Sequence, residues 1–243
     1  MDFFTGQDGG LQIDWTQMPT YNTVMALAAG AGLLLIVMLG NALLRDDDFR
    51  AEGWAVTAGV LGTILTITGA HMMLTWPFAR YFPFDNIIFG EPSLAFGVLL
   101  LGTALYLWKR GAVIRASADR AAEVAVIAKP MSPFIVGLGL ALLAIAAAGV
   151  VFQLFAAPPQ EPISGAFADQ PWLEAAFMSG LFGLVGVGAV LFPAALRRFS
   201  SNRARSGVAT VVGVLWGVTG AVFLLFGALN FYTHIGLVIN TSG

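Results

Sequence analysis

Few side chains in this chain could carry chemistry, because it contains two histidines and no cysteine. The lack of cysteine excludes disulfides, thiolate metal ligands and cysteine nucleophiles. No Ser-His-Asp set, HExxH motif, phosphate-binding loop or dinucleotide fingerprint is present in the sequence. The sequence therefore argues against an enzyme and directs attention to His71 and His234.

His71 lies at the end of an apolar run that also carries threonines at helical spacing. The residues of this stripe recur at steps of 7, 4, 3 and 4: Thr57, Ile64, Thr68, His71 and Thr75. Such spacing places them on one face of a helix. Since lipid does not favour hydroxyl groups, we expect this face to point into the bundle.

His234 ends a comparable seam on the last apolar run. Small residues precede it every seven positions, with an amide one turn before the histidine: Gly213, Gly220, Gly227 and Asn230. A small-xxx-small pattern also runs through Gly213, Gly217 and Ala221, which lets neighbouring helices approach closely. Both histidines are therefore predicted to face the bundle near the same end.

Three interpretations of the two histidines compete. In the first, each is a neutral imidazole that ties helix ends together by hydrogen bonds. In the second, His71 and His234 join Glu91 or Glu174, or Met72 through its thioether, in a copper or zinc site. In the third, they are axial ligands of a haem b between facing helices.

Two observations limit the ligand interpretations. Glu91 and Glu174 are predicted in first helical turns, where the helix dipole favours carboxylates without any metal. At about 1.5 Å per residue, His71 lies about 26 Å from Trp54, whereas His234 lies about 40 Å from Gly207. That mismatch in depth counts against a shared iron atom.

The composition predicts an all-α integral membrane protein. Hydrophobic residues make up 58% of the 243 positions and charged residues only 11%, far below the globular average of about 25%. Six windows are long and apolar enough for helices that cross a bilayer. They span 20–44, 53–76, 92–108, 132–156, 175–196 and 207–236.

Basic residues predict the orientation. Eleven of the twelve lysines and arginines fall in the first, third and fifth loops, and Arg80 is the exception. The positive-inside rule then places these loops in the cytoplasm and both termini outside, in a multi-pass protein of the cell membrane. The net charge of −2 argues against nucleic acid as a partner. The expected partners are the lipid bilayer and other membrane subunits.

The loops predict how the chain is divided. Residues 1–19 and 237–243 are expected as extracytoplasmic segments flanking a single transmembrane domain over 20–236. Residues 109–131 read as an amphipathic cytoplasmic connector helix. Outer loops are expected at 77–91 and 157–174, with helices that begin at Pro92 and Pro171 because proline suits the first turn of a helix.

Residues 69–102, "GAHMMLTWPFARYFPFDNIIFGEPSLAFGVLLLG", carry a recognisable order of motifs. Gly-x-His-Met is followed by Thr-Trp-Pro, a short loop, Asn-Ile-x-Phe-Gly-Glu and a Phe-Gly-containing helix. This stretch resembles the prokaryotic membrane family known as domain of unknown function 981, DUF981. The resemblance implies a multi-helix membrane fold with a site of unknown purpose at an outer helix end, and no activity. The residues that carry it are Gly69, His71, Met72, Thr75, Trp76, Pro77, Asn86, Ile87, Phe89, Gly90, Glu91, Phe96 and Gly97.

The sequence thus favours a non-catalytic membrane protein, an accessory subunit whose outer cluster of histidine and glutamate binds a metal ion. The first alternative is a haem b electron-transfer subunit that uses His71 and His234. The second is a small-solute channel lined by the threonine stripe.

Overall fold

The computed structural model describes residues 19–45, 48–80, 82–199 and 207–242, and every regular element within them is helical. Six helical segments of this part of the chain are long and apolar enough to cross a membrane. The predicted segment 1–19 lies almost wholly outside the described residues, as do Arg203 and Arg205. The long helices are α1 (Asn22–Arg45), α2 (Ala51–Thr75), α3 (Glu91–Ala116), α5 (Ser132–Val151), α6 (Pro171–Leu196) and α7 (Gly207–Thr241), with the short α4 (Arg120–Ala128) before α5.

The helices pack side by side in the order α3, α2, α1, α7, α6 and α5, and α3 and α5 barely touch each other. Consecutive partners run antiparallel, so the two sets of loops lie at opposite ends. We call the end with the α1–α2, α3–α5 and α6–α7 connections the basic end. The other, with residues 76–90 and 152–170, is the histidine end. The bundle is therefore an incomplete ring with a gap between α3 and α5.

Glycines set the closest helix crossings. A Cβ on Gly227 would lie 2.5 Å from the backbone nitrogen of Leu27, and one on Gly220 would lie 2.9 Å from the carbonyl oxygen of Gly30. Gly213 and Gly217 have no such neighbour within 4 Å among the described residues. The predicted seven-residue seam is confirmed at Gly220 and Gly227 but not at Gly213, and the small-xxx-small pattern through Gly213 and Gly217 does not face another helix.

The prediction that the threonine stripe of α2 faces inward was wrong. Thr57, His71 and Thr75 are exposed on the outside of the bundle, and Ile64 and Thr68 are only half-buried. The threonines satisfy their hydroxyl groups within the helix, as Thr57 does by donating to the carbonyl of Gly53 at 3.0 Å. A buried face of small and long apolar residues takes the inward position: Ala51, Ala55, Ala58, Gly62, Leu65, Gly69 and Met72.

The approach to α3 is helical earlier than expected. One α-helical turn at Pro83–Asp85 and a π-helical segment at Asn86–Gly90 precede α3, within the predicted loop 77–91. The side chain of Asn86 stabilises this entry, because its Nδ2 donates to the carbonyl of Pro83 at 3.1 Å and its Oδ1 accepts from the backbone N–H of Phe78 at 3.4 Å. Pro171 begins α6, as predicted.

The connector at the basic end is shorter than residues 109–131, because α3 continues to Ala116. Asp119 caps α4 by accepting a hydrogen bond from the backbone N–H of Ala122 at 3.0 Å. Ala121 is fully buried, and Glu123 pairs with Arg110 at 3.8 Å. The short helix α4 therefore packs onto the basic end of the bundle and leads into α5. At the other terminus, α7 continues to Thr241 through most of the predicted tail 237–243.

Candidate functional site: a membrane-open cleft with a polar end

The gap between α3 and α5 leads into a cavity of about 940 Å³, which we call the cleft. Its lining includes residues from every long helix except α2, together with α4 and residues 152–164. Large apolar side chains stand at its mouth, where Val98 of α3 is 53% exposed and Phe134 of α5 is 51% exposed. In a bilayer these residues would meet lipid, so the cleft opens sideways toward the membrane.

Aromatic rings form the inner wall of the cleft near the histidine end. Phe155 stacks on Phe182 with ring centroids 5.8 Å apart and an angle of 15° between the planes. Phe89 packs 6.0 Å from Phe155, and Phe223 packs edge-on 5.9 Å from Phe182. These rings come from the π-helical segment before α3, the loop after α5, helix α6 and helix α7, and they hold the four segments at a common apolar surface.

The histidine end of the cleft is polar. Its lining there includes five polar side chains from four segments of the chain: Asp85, Glu161, Glu174, Asn230 and His234. Nε2 of His234 lies 3.7 Å from Oε1 of Glu161, and Nδ1 of His234 has no hydrogen-bond partner among the described residues. Oε2 of Glu174 accepts a hydrogen bond of 2.5 Å from the backbone N–H of Ala157.

Burial governs the electrostatics of Glu161. It raises the pKa of this carboxyl group, while the nearby hydroxyl of Thr233 acts in the opposite direction and the charge of Glu174 raises the pKa further. A raised pKa means that the protein interior favours the protonated acid over the carboxylate. Glu161 is therefore a group whose charge depends strongly on what lies beside it.

The loop that carries Glu161 is held against the end of α7. Nδ2 of Asn240 donates to the carbonyl of Gln160 at 2.9 Å, and Gly236 leaves room for the ring of Pro162. Phe155 and Ile163 adopt positive φ angles of 75° and 69° in the same region. Non-glycine residues rarely adopt this conformation, and its occurrence here indicates that surrounding contacts impose the path of the loop.

The structure divides the predicted site residues into two groups. His234 and Glu174 both line the cleft, and Glu161 lies beside them. His71, Met72 and Glu91 do not line it. The two histidines thus belong to different surroundings, and the geometry offers no support for a haem ligated by both.

His71 lies against Tyr21, which precedes α1. The hydroxyl oxygen of Tyr21 is 3.1 Å from Nδ1 of His71, and the two rings meet edge to face at 5.6 Å. Burial raises the pKa of Tyr21, so its hydroxyl keeps the proton that it can donate to the imidazole. This contact matches the interpretation in which a histidine ties helix ends together.

Met72 and Glu91 have structural surroundings of their own. Met72 is fully buried and packs against Gly90, and Glu91 is exposed in the first turn of α3. Within the described residues, no group of three or more His, Asp or Glu side chains is arranged to hold a metal ion. The copper or zinc site stays a prediction without support from the geometry.

Sequence reasoning missed Glu161. The residue stands between prolines in "APPQEPIS", a segment that resembles an ordinary surface loop. Its partner His234 is 73 positions later, so no local pattern connects them. The available signal was that both residues fall at the end of the bundle opposite the basic loops.

The six apolar helices and the cleft between them define a polytopic, all-α membrane protein. A family model for a protein of unknown function, DUF981, matches residues 18–236, and the chain belongs to this family. No curated protein and no solved structure matches the chain. The match extends the sequence resemblance from residues 69–102 to all six helices.

Proposed function

We propose that this protein is a non-catalytic binding protein of the cell membrane, whose cleft takes an amphiphile with a long apolar chain. The observation that supports it is the cleft itself, an apolar cavity that opens toward lipid between α3 and α5. Its volume of about 940 Å³ lies in the range of ligand pockets, roughly 300–1,000 Å³. A polar end and an apolar body are the two surfaces that an amphiphile requires.

The course of the cleft suits a ligand that enters from the bilayer. Its lining extends from Glu161 and His234 at the histidine end to Ile127 and Met131 at the basic end. The apolar chain of the ligand would lie along the gap between Leu99 and Leu138, where α3 and α5 leave each other uncovered. Lipid-like ligands bind in such a site without crossing water, because their chains exchange one apolar environment for another.

We also propose that the basic end lies in the cytoplasm, as the positive-inside rule predicts. The polar end of the cleft then lies at the outer surface of the membrane. The headgroup of the bound amphiphile would be at the level of the outer leaflet. Such a protein would act as an accessory subunit that delivers the bound amphiphile to other membrane subunits or keeps it from them.

Blocking the cleft tests this function. Gly102 lines the cleft, and a side chain added there meets no atom within 4 Å among the described residues. Gly102→Trp should therefore fold and fill the mouth. The matched control is Gly137→Trp, on α5, which has equally open space but lies outside the cleft. We would measure binding of a neutral probe, a dansyl-labelled hexadecyl amide, to each protein in nanodiscs.

We expect saturable binding to the wild-type protein and to Gly137→Trp, and at least about tenfold weaker binding to Gly102→Trp, equivalent to about 1.4 kcal/mol. Lipid extracted from the purified proteins should show the same order. Equal binding to all three proteins, or no saturable binding to any, would refute the proposal.

A further inference from the structure

We infer that the polar end of the cleft selects an amphiphile with a positively charged headgroup, held by Asp85 and Glu161. This inference rests on the proposed function and specifies its ligand class. A long-chain amine or quaternary ammonium compound has the required chemistry.

Charge complementarity is the first argument. The lining contains three carboxyl groups, those of Asp85, Glu161 and Glu174, and no lysine or arginine from the described residues. Arg80 lies at the same end of the bundle but does not line the cleft. A cation beside these carboxyl groups would favour their charged form and be attracted to it, whereas an anionic headgroup would find no lysine or arginine in the described lining to bind it.

Unpartnered polar side chains are the second argument. Asp85 and Asn230 are each only 8% exposed, line the cleft, and have no side-chain hydrogen-bond partner among the described residues. Buried polar groups normally find partners, since leaving one unsatisfied costs stability. Asn230 is an uncharged amide, so it provides evidence for a ligand that is separate from the cluster of carboxyl groups. Both side chains therefore point to a ligand that completes their contacts.

The arrangement of the carboxyl groups is the third argument. Glu174 is already engaged, because its Oε2 accepts a hydrogen bond from the backbone N–H of Ala157. Asp85 reaches the cleft from the helical turn before α3, and Glu161 reaches it from the loop after α5. These two segments flank the gap through which the ligand enters. A cation between them would offset the cost of burying their charges.

Competition between headgroups tests the inference. The dansyl-labelled hexadecyl amide would be displaced from the protein in zwitterionic nanodiscs by three compounds with the same twelve-carbon chain. These are dodecyltrimethylammonium, dodecyl maltoside and dodecyl phosphate, which are cationic, neutral and anionic. The variants are Asp85→Asn and Glu161→Gln, each of which removes one ionisable carboxyl group at nearly constant size. Glu91→Gln, an exposed carboxyl at the same end but outside the cleft, is the matched control.

We expect the wild-type protein to bind dodecyltrimethylammonium at least about tenfold more tightly than dodecyl maltoside, with dodecyl phosphate the weakest. Asp85→Asn and Glu161→Gln should each weaken binding of the cation about tenfold and leave the maltoside unchanged. Glu91→Gln should behave as the wild type does. In the comparisons between wild type and variants, one ligand meets two proteins, so partition into lipid cancels. The ranking of the three compounds on the wild-type protein is corrected for their partition into empty nanodiscs.

Equal displacement by all three compounds, or a cation affinity that neither variant changes, would overturn the inference while leaving the proposed function in place. Failure of the dansyl probe to bind at all would instead refute the proposed function. The two carboxyl variants are independent, so a folding defect in one leaves the other decisive.

Discussion

Single missing side chains decide how closely α7 can approach α1. A Cβ at Gly227 would lie 2.5 Å from backbone of α1, while one at Gly213 on the same helix would meet nothing within 4 Å in the described part of the chain. Gly227 is therefore required for the close contact between the two helices and Gly213 is not, although the two glycines occupy equivalent positions in the seven-residue sequence pattern.

We expect Gly227→Ala to lower the free energy of unfolding by about 1–3 kcal/mol, because the added methyl group forces the two helices apart. Gly213→Ala should leave stability unchanged or raise it by up to about 1 kcal/mol, since alanine favours the helical backbone. Thermal unfolding in detergent, followed by tryptophan fluorescence, measures both. Equal effects of the two substitutions would contradict the assigned crossing.

Glu161 links stability to pH at the residue scale. Its pKa is raised in the folded protein, so the native state binds a proton that the unfolded chain releases near the ordinary value of about 4.3. The contribution of this group to stability is then greatest below that pH and falls as the pH rises toward the native pKa.

We expect Glu161→Gln to remove this part of the pH dependence, so that the variant gains stability relative to the wild type as the pH rises from 4 toward neutrality, roughly the window above the ordinary glutamate pKa. Asp169→Asn, at an exposed carboxyl of the same loop, should retain the wild-type profile. The measurement is the unfolding temperature of the three proteins across that pH range. Parallel profiles for all three would contradict the assignment.

At the scale of the element, α2 shows that helical spacing alone does not identify the inward face. Its threonine stripe and its alanine and glycine stripe both recur with helical period. The structure buries the second, because small side chains let α3 approach closely while hydroxyl groups are satisfied within the helix itself.

Neighbouring substitutions on α2 distinguish the two faces. Ala58→Leu places three extra carbon atoms at a fully buried position and should destabilise the protein by about 1–3 kcal/mol. Thr57→Leu, one residue earlier on the exposed side, should change stability by less than about 0.5 kcal/mol. The same thermal unfolding assay applies. A larger effect at Thr57 would restore the channel-lining interpretation of the threonine stripe.

The whole molecule has one end rich in arginine and lysine and another that carries His71, His234 and the polar end of the cleft. The proposed orientation assigns the first to the cytoplasm. Since the chain contains no cysteine, single cysteines can report on each end without any background.

Ala166→Cys at the histidine end should react with a membrane-impermeant maleimide in intact cells, whereas Ala118→Cys at the basic end should react only after the membrane is opened. Both positions are exposed, so any difference in labelling reports which side of the membrane each cysteine occupies. Labelling after permeabilisation is the control for reactivity. The reverse pattern would place the polar end of the cleft in the cytoplasm.

Predictability from sequence differed between the fold and the site. Six helices, the starting residue Pro171 and the close approach at Gly220 and Gly227 follow from local composition and spacing. The residues of the candidate site could not be predicted from local sequence in this way. Of the predicted ligands, only His234 and Glu174 share a cavity, and Glu161, which pairs with His234, had no local signature.

The sequence by itself determined that this chain is a helical membrane protein, because twenty or so apolar residues without charge leave the backbone no other way to satisfy its hydrogen bonds in lipid. It also determined which loops lie at the same end of the bundle, since each helix that crosses the membrane takes the chain to the opposite side. Only the tertiary structure decided that α3 and α5 stay apart, that His71 binds Tyr21, and that Asp85, Glu161 and His234 meet at one cleft. Those contacts join residues far apart in the chain, and the free energy that selects them comes from packing between helices, which no single helix encodes.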